Sequence, residues 1–438
     1  MSQPIHLLVL VHGMWGNPSN LKQLELHASQ KPEFHVMVAK ANSEDSTYDG
    51  IDWGGERVAQ EVLDEVHALS QEGKAVTRFS ITGYSLGGLV SRYVIGILYQ
   101  KRFFDDVTPV NFSSIATPHL GLPRYPSVMS YLGTIVGPRL LSRTGEQFYC
   151  VDKWSHTGRP LLEVMADPQR IFYQALAKFQ EFRIFANAVY DLTVPYVTAA
   201  IEVDDPFVDH TTNGIQITLR DDYPRIIKSY TLPTSPPPKI KSKESKKSGK
   251  RPFMPPFLVF RFPLNILFYI SLPFFVPVVI TLLSVRLMKA SNKSKIRIKL
   301  LEEGEKSAET LAKVLAKVEE AVEETVGNLI HGDSSPSPSP PSSFSTSASA
   351  DEVSFSTTST TSTTPSTLPP ASKGKDVLSP LQKRIASQLN TLPIKKELAF
   401  FDDVYNAHGT IIMRDAKRFP FQKIGEGVVR KWGDSLRA

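Results

Sequence analysis

A single cysteine, Cys150, stands among 438 residues, and that scarcity excludes an intramolecular disulfide framework. It points to a reducing compartment, with Cys150 read as a buried core thiol. No cluster of cysteine and histidine has the spacing of a zinc site, so no metal and no organic cofactor is expected. The front of the chain lacks the basic n-region of a cleavable signal, and the apolar run at residues 5–11 is too short for one; it reads as a buried strand. An even spread of charge is also missing. The net charge of +6 gathers around one apolar segment, which favours an anionic lipid surface over nucleic acid as partner. What is present suffices for a full α/β core with attachments, since 41% of the residues are apolar.

The organising stretch runs from Val76 to Tyr93. Apolar and β-branched residues lead into Gly83-Tyr84-Ser85-Leu86-Gly87, and Leu89, Val90, Tyr93, Val94 and Ile97 follow at helical spacing. Strand, G-x-S-x-G and helix together make a nucleophile elbow, with Ser85 as the nucleophile. Gly83 and Gly87 admit backbone where a Cβ would collide, and the helix N-terminus favours negative charge developing at the serine. Upstream, residues 5–11 lead into His12-Gly13-Met14-Trp15-Gly16, a loop placed to supply an oxyanion hole. The backbone amides of Met14 and Leu86 are the expected donors, while His12 and Gly13 brace the loop. Trp15 reads as either a core aromatic or a wall of the substrate pocket.

Strand and helix alternate through residues 34–39, 53–69, 109–116 and 182–189, which argues for a mainly parallel sheet with helices on both faces. Residues 122–150 are apolar without strict period, either a helical excursion packed on the core or a lid whose inner face binds acyl chains. Asp191, in Asn187-Ala188-Val189-Tyr190-Asp191-Leu192-Thr193-Val194-Pro195, ends a late strand and fits the acid of a Ser-His-Asp triad; otherwise it caps the turn before Pro195.

On these residues, with Ala116-Thr117-Pro118-His119-Leu120-Gly121, the first 215 or so residues resemble the “putative serine esterase” family of lipase-like α/β-hydrolases. The apolar insert and distant C-terminal tail look like the fungal lipid-droplet phospholipases within it. That resemblance implies an α/β-hydrolase fold and hydrolysis of acyl esters in glycerophospholipids. The implied location is a lipid-droplet or endoplasmic-reticulum surface, with the catalytic domain facing the cytosol. Acyl transfer, cleavage of neutral glycerides and a tether without turnover are the rival readings.

The order serine, acid, histidine leaves His210, His331 and His408 as candidate bases. His331 opens a Ser/Pro tract. His408 is favoured over His210 because its loop follows an apolar stretch and precedes a closing helix at residues 427–436, as it would in a family member.

The chain is thus divided into a hydrolase core at 1–230, a basic-flanked apolar insert at 231–299, an amphipathic helix at 300–330, a disordered Ser/Thr/Pro tether at 331–378 and a returning piece of core at 379–438. The insert is long enough to span a bilayer. A single span, however, would put His408 across the membrane from Ser85 and Asp191, and Pro273 and Pro277 would break a helix. A hairpin dipping into one leaflet is therefore expected; the rival is a plain anchor with His210 as base.

Overall fold

The computed structural model describes residues 2–233, 264–304 and 377–438. Eight strands are present among them: β1 (Gln3–Val11), β2 (Phe34–Val38), β3 (Lys74–Tyr84), β4 (Thr108–Ile115), β5 (Glu181–Asn187), β6 (Gln216–Leu219), β7 (Ile227–Thr231) and β8 (Ile394–Ala399). Six form one sheet in the order β2-β1-β3-β4-β5-β8, and every ladder in it is parallel. β6 and β7 pair antiparallel beside it, tied on by a bridge between Ile226 and Ala399.

The strand sequences explain the layering. A parallel strand buried on both faces reads as continuous apolar sequence. In β1, Leu7, Val9 and Val11 enter one core while Leu8 and Leu10 enter the other. The first core is covered by helices Ile51–Gln71, Leu86–Gln100, Leu161–Ala166, Ile171–Ala177 and Pro380–Leu389. The second is covered by Lys22–Ala28 and Glu426–Asp434, whose Leu24, Ala28, Val428 and Trp432 are buried in it. Residues 377–438 thus complete the sheet, with β8 running beside β5 from Phe182↔Ile394 to Asn187↔Ala399. Their opening helix is started by Ser379, whose side chain accepts the Gln382 amide while Gln382 reaches back to the Ser379 amide.

Residues 122–150 form two helices, Val128–Leu140 and Ser142–Phe148, the first of which exposes Tyr131, Leu132, Ile135 and Val136. The insert departs from the expected hairpin. Leu264–Gly304 is one helix running through Pro273 and Pro277 without a break, and it also crosses the expected boundary at residue 299. Prolines four residues apart withdraw neighbouring amides on one side of a helix, which costs hydrogen bonds but leaves the remaining ladder to carry the axis. The N-terminal half is exposed at Ile270, Phe274, Phe275, Val278, Leu282 and Leu283. The C-terminal half is fastened to the core: Arg297 grips the Asp49 carboxylate at 2.8 Å, Ser291 Oγ donates to Arg139 O at 3.0 Å, and Ser294 Oγ meets Ser142 Oγ at 3.2 Å. Among the described residues only this helix, over Pro273–Leu301, is long and apolar enough to cross a membrane. Most of the expected linker, amphipathic helix and tether lies outside the described residues.

Candidate active site

Ser85 sits between β3 and the helix Leu86–Gln100 with φ +56° and ψ −126°, a left-handed backbone that L residues seldom hold. Its amide donates to Ile115 O at 2.8 Å, which binds the corner to the end of β4. The glycines around it are sterically required. A Cβ on Gly83 would lie 2.3 Å from Gly87 O, and one on Gly87 would lie 2.1 Å from Val11 O. A Cβ on Gly13 would stand 2.7 Å from that of Ser85, so the loop after β1 lies directly against the serine.

Asp191 follows β5 and accepts hydrogen bonds on both oxygens. Oδ1 takes the amides of Thr193 and Val194 at 3.0 and 2.8 Å; Oδ2 takes Asn187 Nδ2 at 2.8 Å and faces His408 Nδ1 at 2.9 Å. Turn-capping and histidine-orienting are therefore concurrent roles of one carboxylate, not alternatives. His408 Nε2 lies 3.1 Å from Ser85 Oγ. A carboxylate only accepts, so His408 carries its proton on Nδ1 and presents a bare Nε2 to the serine hydroxyl. All three side chains are buried.

His210 lies elsewhere: its Nδ1 meets Phe207 O at 3.0 Å and its Nε2 meets the Tyr190 hydroxyl at 3.3 Å. His12 is buried, with Nδ1 3.1 Å from Gly13 O and Nε2 3.3 Å from Ser43 Oγ, and burial holds its pKa below the usual imidazole value. Leu86 is the first residue of its helix, so its amide has no partner within the helix and is free to face a ligand, whereas Met14 is half-buried in the loop beside Ser85. Trp15 is not part of the core: it is 56% exposed, and its indole N–H donates to the Tyr48 hydroxyl at 2.7 Å. Cys150 is half-buried, with Sγ 3.9 Å from Leu120 O and its thiol pKa pushed up by burial.

Two residues at the site escape sequence reasoning. Tyr84 donates its hydroxyl to His408 O at 3.0 Å and stacks its ring 5.1 Å from the imidazole. Asn406 Oδ1 accepts the amides of His408 and Leu192 at 3.1 and 3.3 Å, joining the histidine loop to the acid loop. Tyr84 is visible in the elbow as an unspecified position; Asn406 gives no signal beyond its place two residues before the histidine.

A serine on a strand-to-helix corner at the carboxyl edge of a parallel sheet, with a histidine and an acid from later loops, defines the α/β-hydrolase class. Residues 1–201 match the family model described as “Putative serine esterase (DUF676)”, so the resemblance carried by the motifs holds for this part of the chain. “Putative lipase C4A8.10” of Schizosaccharomyces pombe is 31% identical over 242 residues, 50% of this chain and 30% of that protein. “Putative lipase ROG1” of Saccharomyces cerevisiae is 27% identical over 208 residues, 45% of this chain and 28% of its own length. The matched stretch thus spans under a third of either relative. Among solved structures, naproxen esterase from Bacillus subtilis overlaps at 18% identity and TM-score 0.20, covering 40% of this chain and 53% of its own. A “putative aryl esterase” from Burkholderia cenocepacia overlaps at 14% and 0.24, covering 45% and 75%. The fold assignment rests on the strand order and the elbow.

Proposed function

We propose that this protein is a serine hydrolase that cleaves acyl esters of glycerophospholipids at a lipid-droplet or endoplasmic-reticulum surface. The observation that carries the reading is the continuous Asp191–His408–Ser85 relay at 2.9 and 3.1 Å. Ser85 Oγ attacks the ester carbonyl while His408 Nε2 takes its proton, and Asp191 steadies the imidazolium. The amides of Met14 and Leu86 hold the developing oxyanion. His408 then returns the proton to the departing alcohol; water, deprotonated by the same imidazole, attacks the acyl carbon, and the imidazolium passes the proton to Ser85 Oγ as the fatty acid is released.

The membrane reading is supported by the exposed apolar half of the long helix and by Tyr131, Leu132, Ile135 and Val136 of the helix it contacts. Ser85 and Asp191 precede the long helix in the chain and His408 follows it, so both ends of the intervening segment return to one side of the lipid surface. The helix therefore anchors the enzyme without dividing its active site.

Free fatty acid release from phosphatidylcholine vesicles by the full-length protein tests this. Release lost in Ser85→Ala and His408→Ala and retained in His210→Ala is the expected pattern, with a drop of roughly three to six orders of magnitude in kcat for the first two. Release that survives Ser85→Ala would overturn the reading.

A further inference from the structure

A cavity of about 530 Å³ opens beside Asp191, yet neither Ser85 nor His408 lines it. Its wall is aromatic, with Tyr125, Tyr149, Tyr190, Tyr196 and Phe207, and it carries a second carboxylate, Asp205. Asp205 Oδ1 accepts the Phe207 amide at 2.9 Å, and burial among these rings pushes its carboxyl up to about 6, a shift that a bound cation would reverse. Its charge acts on Tyr125 and Tyr196, whose hydroxyls burial already pushes up.

Among the described residues no lysine or arginine lines the cavity. His210 has Nδ1 at the Phe207 carbonyl and Nε2 at the Tyr190 hydroxyl, so its ring has no spare donor for an anion. A phosphate would find no charged partner there. An alkyl chain would leave the Asp205 charge in an apolar contact, which is costly. A compact organic cation satisfies both features, because ring faces attract it through their quadrupole and the carboxylate pairs with it.

We propose that this cavity is a cation subsite that takes the quaternary ammonium head group of the lipid substrate. Asp191 belongs both to the cavity wall and to the relay, so the cavity adjoins the relay at its acid end, with the imidazole between it and Ser85. The inference rests on the phospholipid reading above for the source of its ligand, though not for the cation chemistry itself.

Binding to the full-length Ser85→Ala protein separates the two. Choline is titrated against its uncharged carbon isostere, 3,3-dimethylbutan-1-ol, by calorimetry or ligand-observed NMR. Choline should bind at least about tenfold more tightly than the isostere, and Asp205→Asn, which can still accept the Phe207 amide, should weaken choline by about tenfold. Equal binding of the isostere, or choline binding indifferent to Asp205→Asn, would overturn the subsite. If the melting temperature shows that Asp205→Asn has not folded, Tyr125→Leu reads the same loss from the ring side. Hydrolysis of phosphatidylcholine against phosphatidylglycerol vesicles by the protein with Ser85 intact identifies the source: the preference for the former should shrink in Asp205→Asn. An unchanged preference, with choline still bound, would overturn the head-group assignment in favour of a free quaternary amine. Choline binding in a protein that hydrolyses neither vesicle would end the phospholipase reading and leave the cation site standing.

Discussion

Asn406 and Tyr84 hold the His408 loop from two sides, one through its amide and the other through its carbonyl. Neither reaches the serine, so both position the imidazole and take no part in bond making. Asn406→Ala should lower kcat by about tenfold with little change in KM, because a misplaced base costs the transition state more than substrate binding. Steady-state kinetics on a soluble ester would check it, and a rise in KM alone would refute the positioning role. At Asp205 the folded state raises the carboxyl from 3.8 to about 6 and so binds the proton more tightly than the unfolded chain. Its contribution to stability is present below pH 4 and lost as pH rises through 6. Denaturation between pH 4 and 6 should therefore show a downward slope that Asp205→Asn flattens. Ser85, Asp191 and His408 were legible because an elbow, a strand end and chain order each constrain one residue type at one place. Asn406 was not, since its role depends on two loops that meet only after β8 pairs with β5.

Elements are joined by buried charges that no local pattern announces. Asp52, buried on the helix Ile51–Gln71, accepts Arg143 Nε at 3.0 Å and Gln147 Nε2 at 2.9 Å, both from the helix Ser142–Phe148. Burial alone would raise its pKa, but Arg143 and Gln147 outweigh burial and hold the carboxyl below its usual value. Its stabilising effect is present above the ordinary carboxylate pKa and is lost as pH falls through the lowered one. Asp52→Asn should cost about 1–3 kcal/mol and loosen the base of the 122–150 segment, as read by thermal denaturation and hydrogen exchange in residues 142–148. The long helix shows the complementary case. Its apolarity was plain in sequence, but its continuity was not, because proline penalties are local while Arg297–Asp49 and Ser291–Arg139 fix the helix from further along. Replacing Phe274 and Phe275 with aspartate should reduce partition onto lipid vesicles by more than tenfold while hydrolysis of a soluble ester persists. Vesicle flotation measures the first, and an unchanged partition would remove the helix from the docking surface.

The molecule is a core written in two instalments. Residues 377–438 supply β8, bury Ile385, Leu389 and Trp432, and join the Trp432 indole N–H to Thr82 Oγ1 at 3.1 Å on the nucleophile's own strand. Such contacts predict that a protease site engineered between residues 305 and 376 yields two pieces that stay associated and active after cleavage. Size-exclusion chromatography of the nicked protein checks this, and separation of the fragments would contradict it. The return of the C-terminal piece to the sheet was readable from the sequence, because a Ser/Thr/Pro tract cannot build a core and the apolar pattern resumes after it. The docking of the long helix against residues 139–142 was not, being a matter of contacts between groups 152 residues apart. The two-instalment order also has a meaning in time. Domains form from the N-terminal end as synthesis proceeds at roughly 5–20 residues per second, so the roughly hundred residues between Gly304 and His408 take on the order of 5–20 s. A ribosome therefore completes the apolar helix before it delivers the base. A chain cut short in that interval carries Ser85 and Asp191 without His408, so the apolar helix is complete before the three side chains can meet.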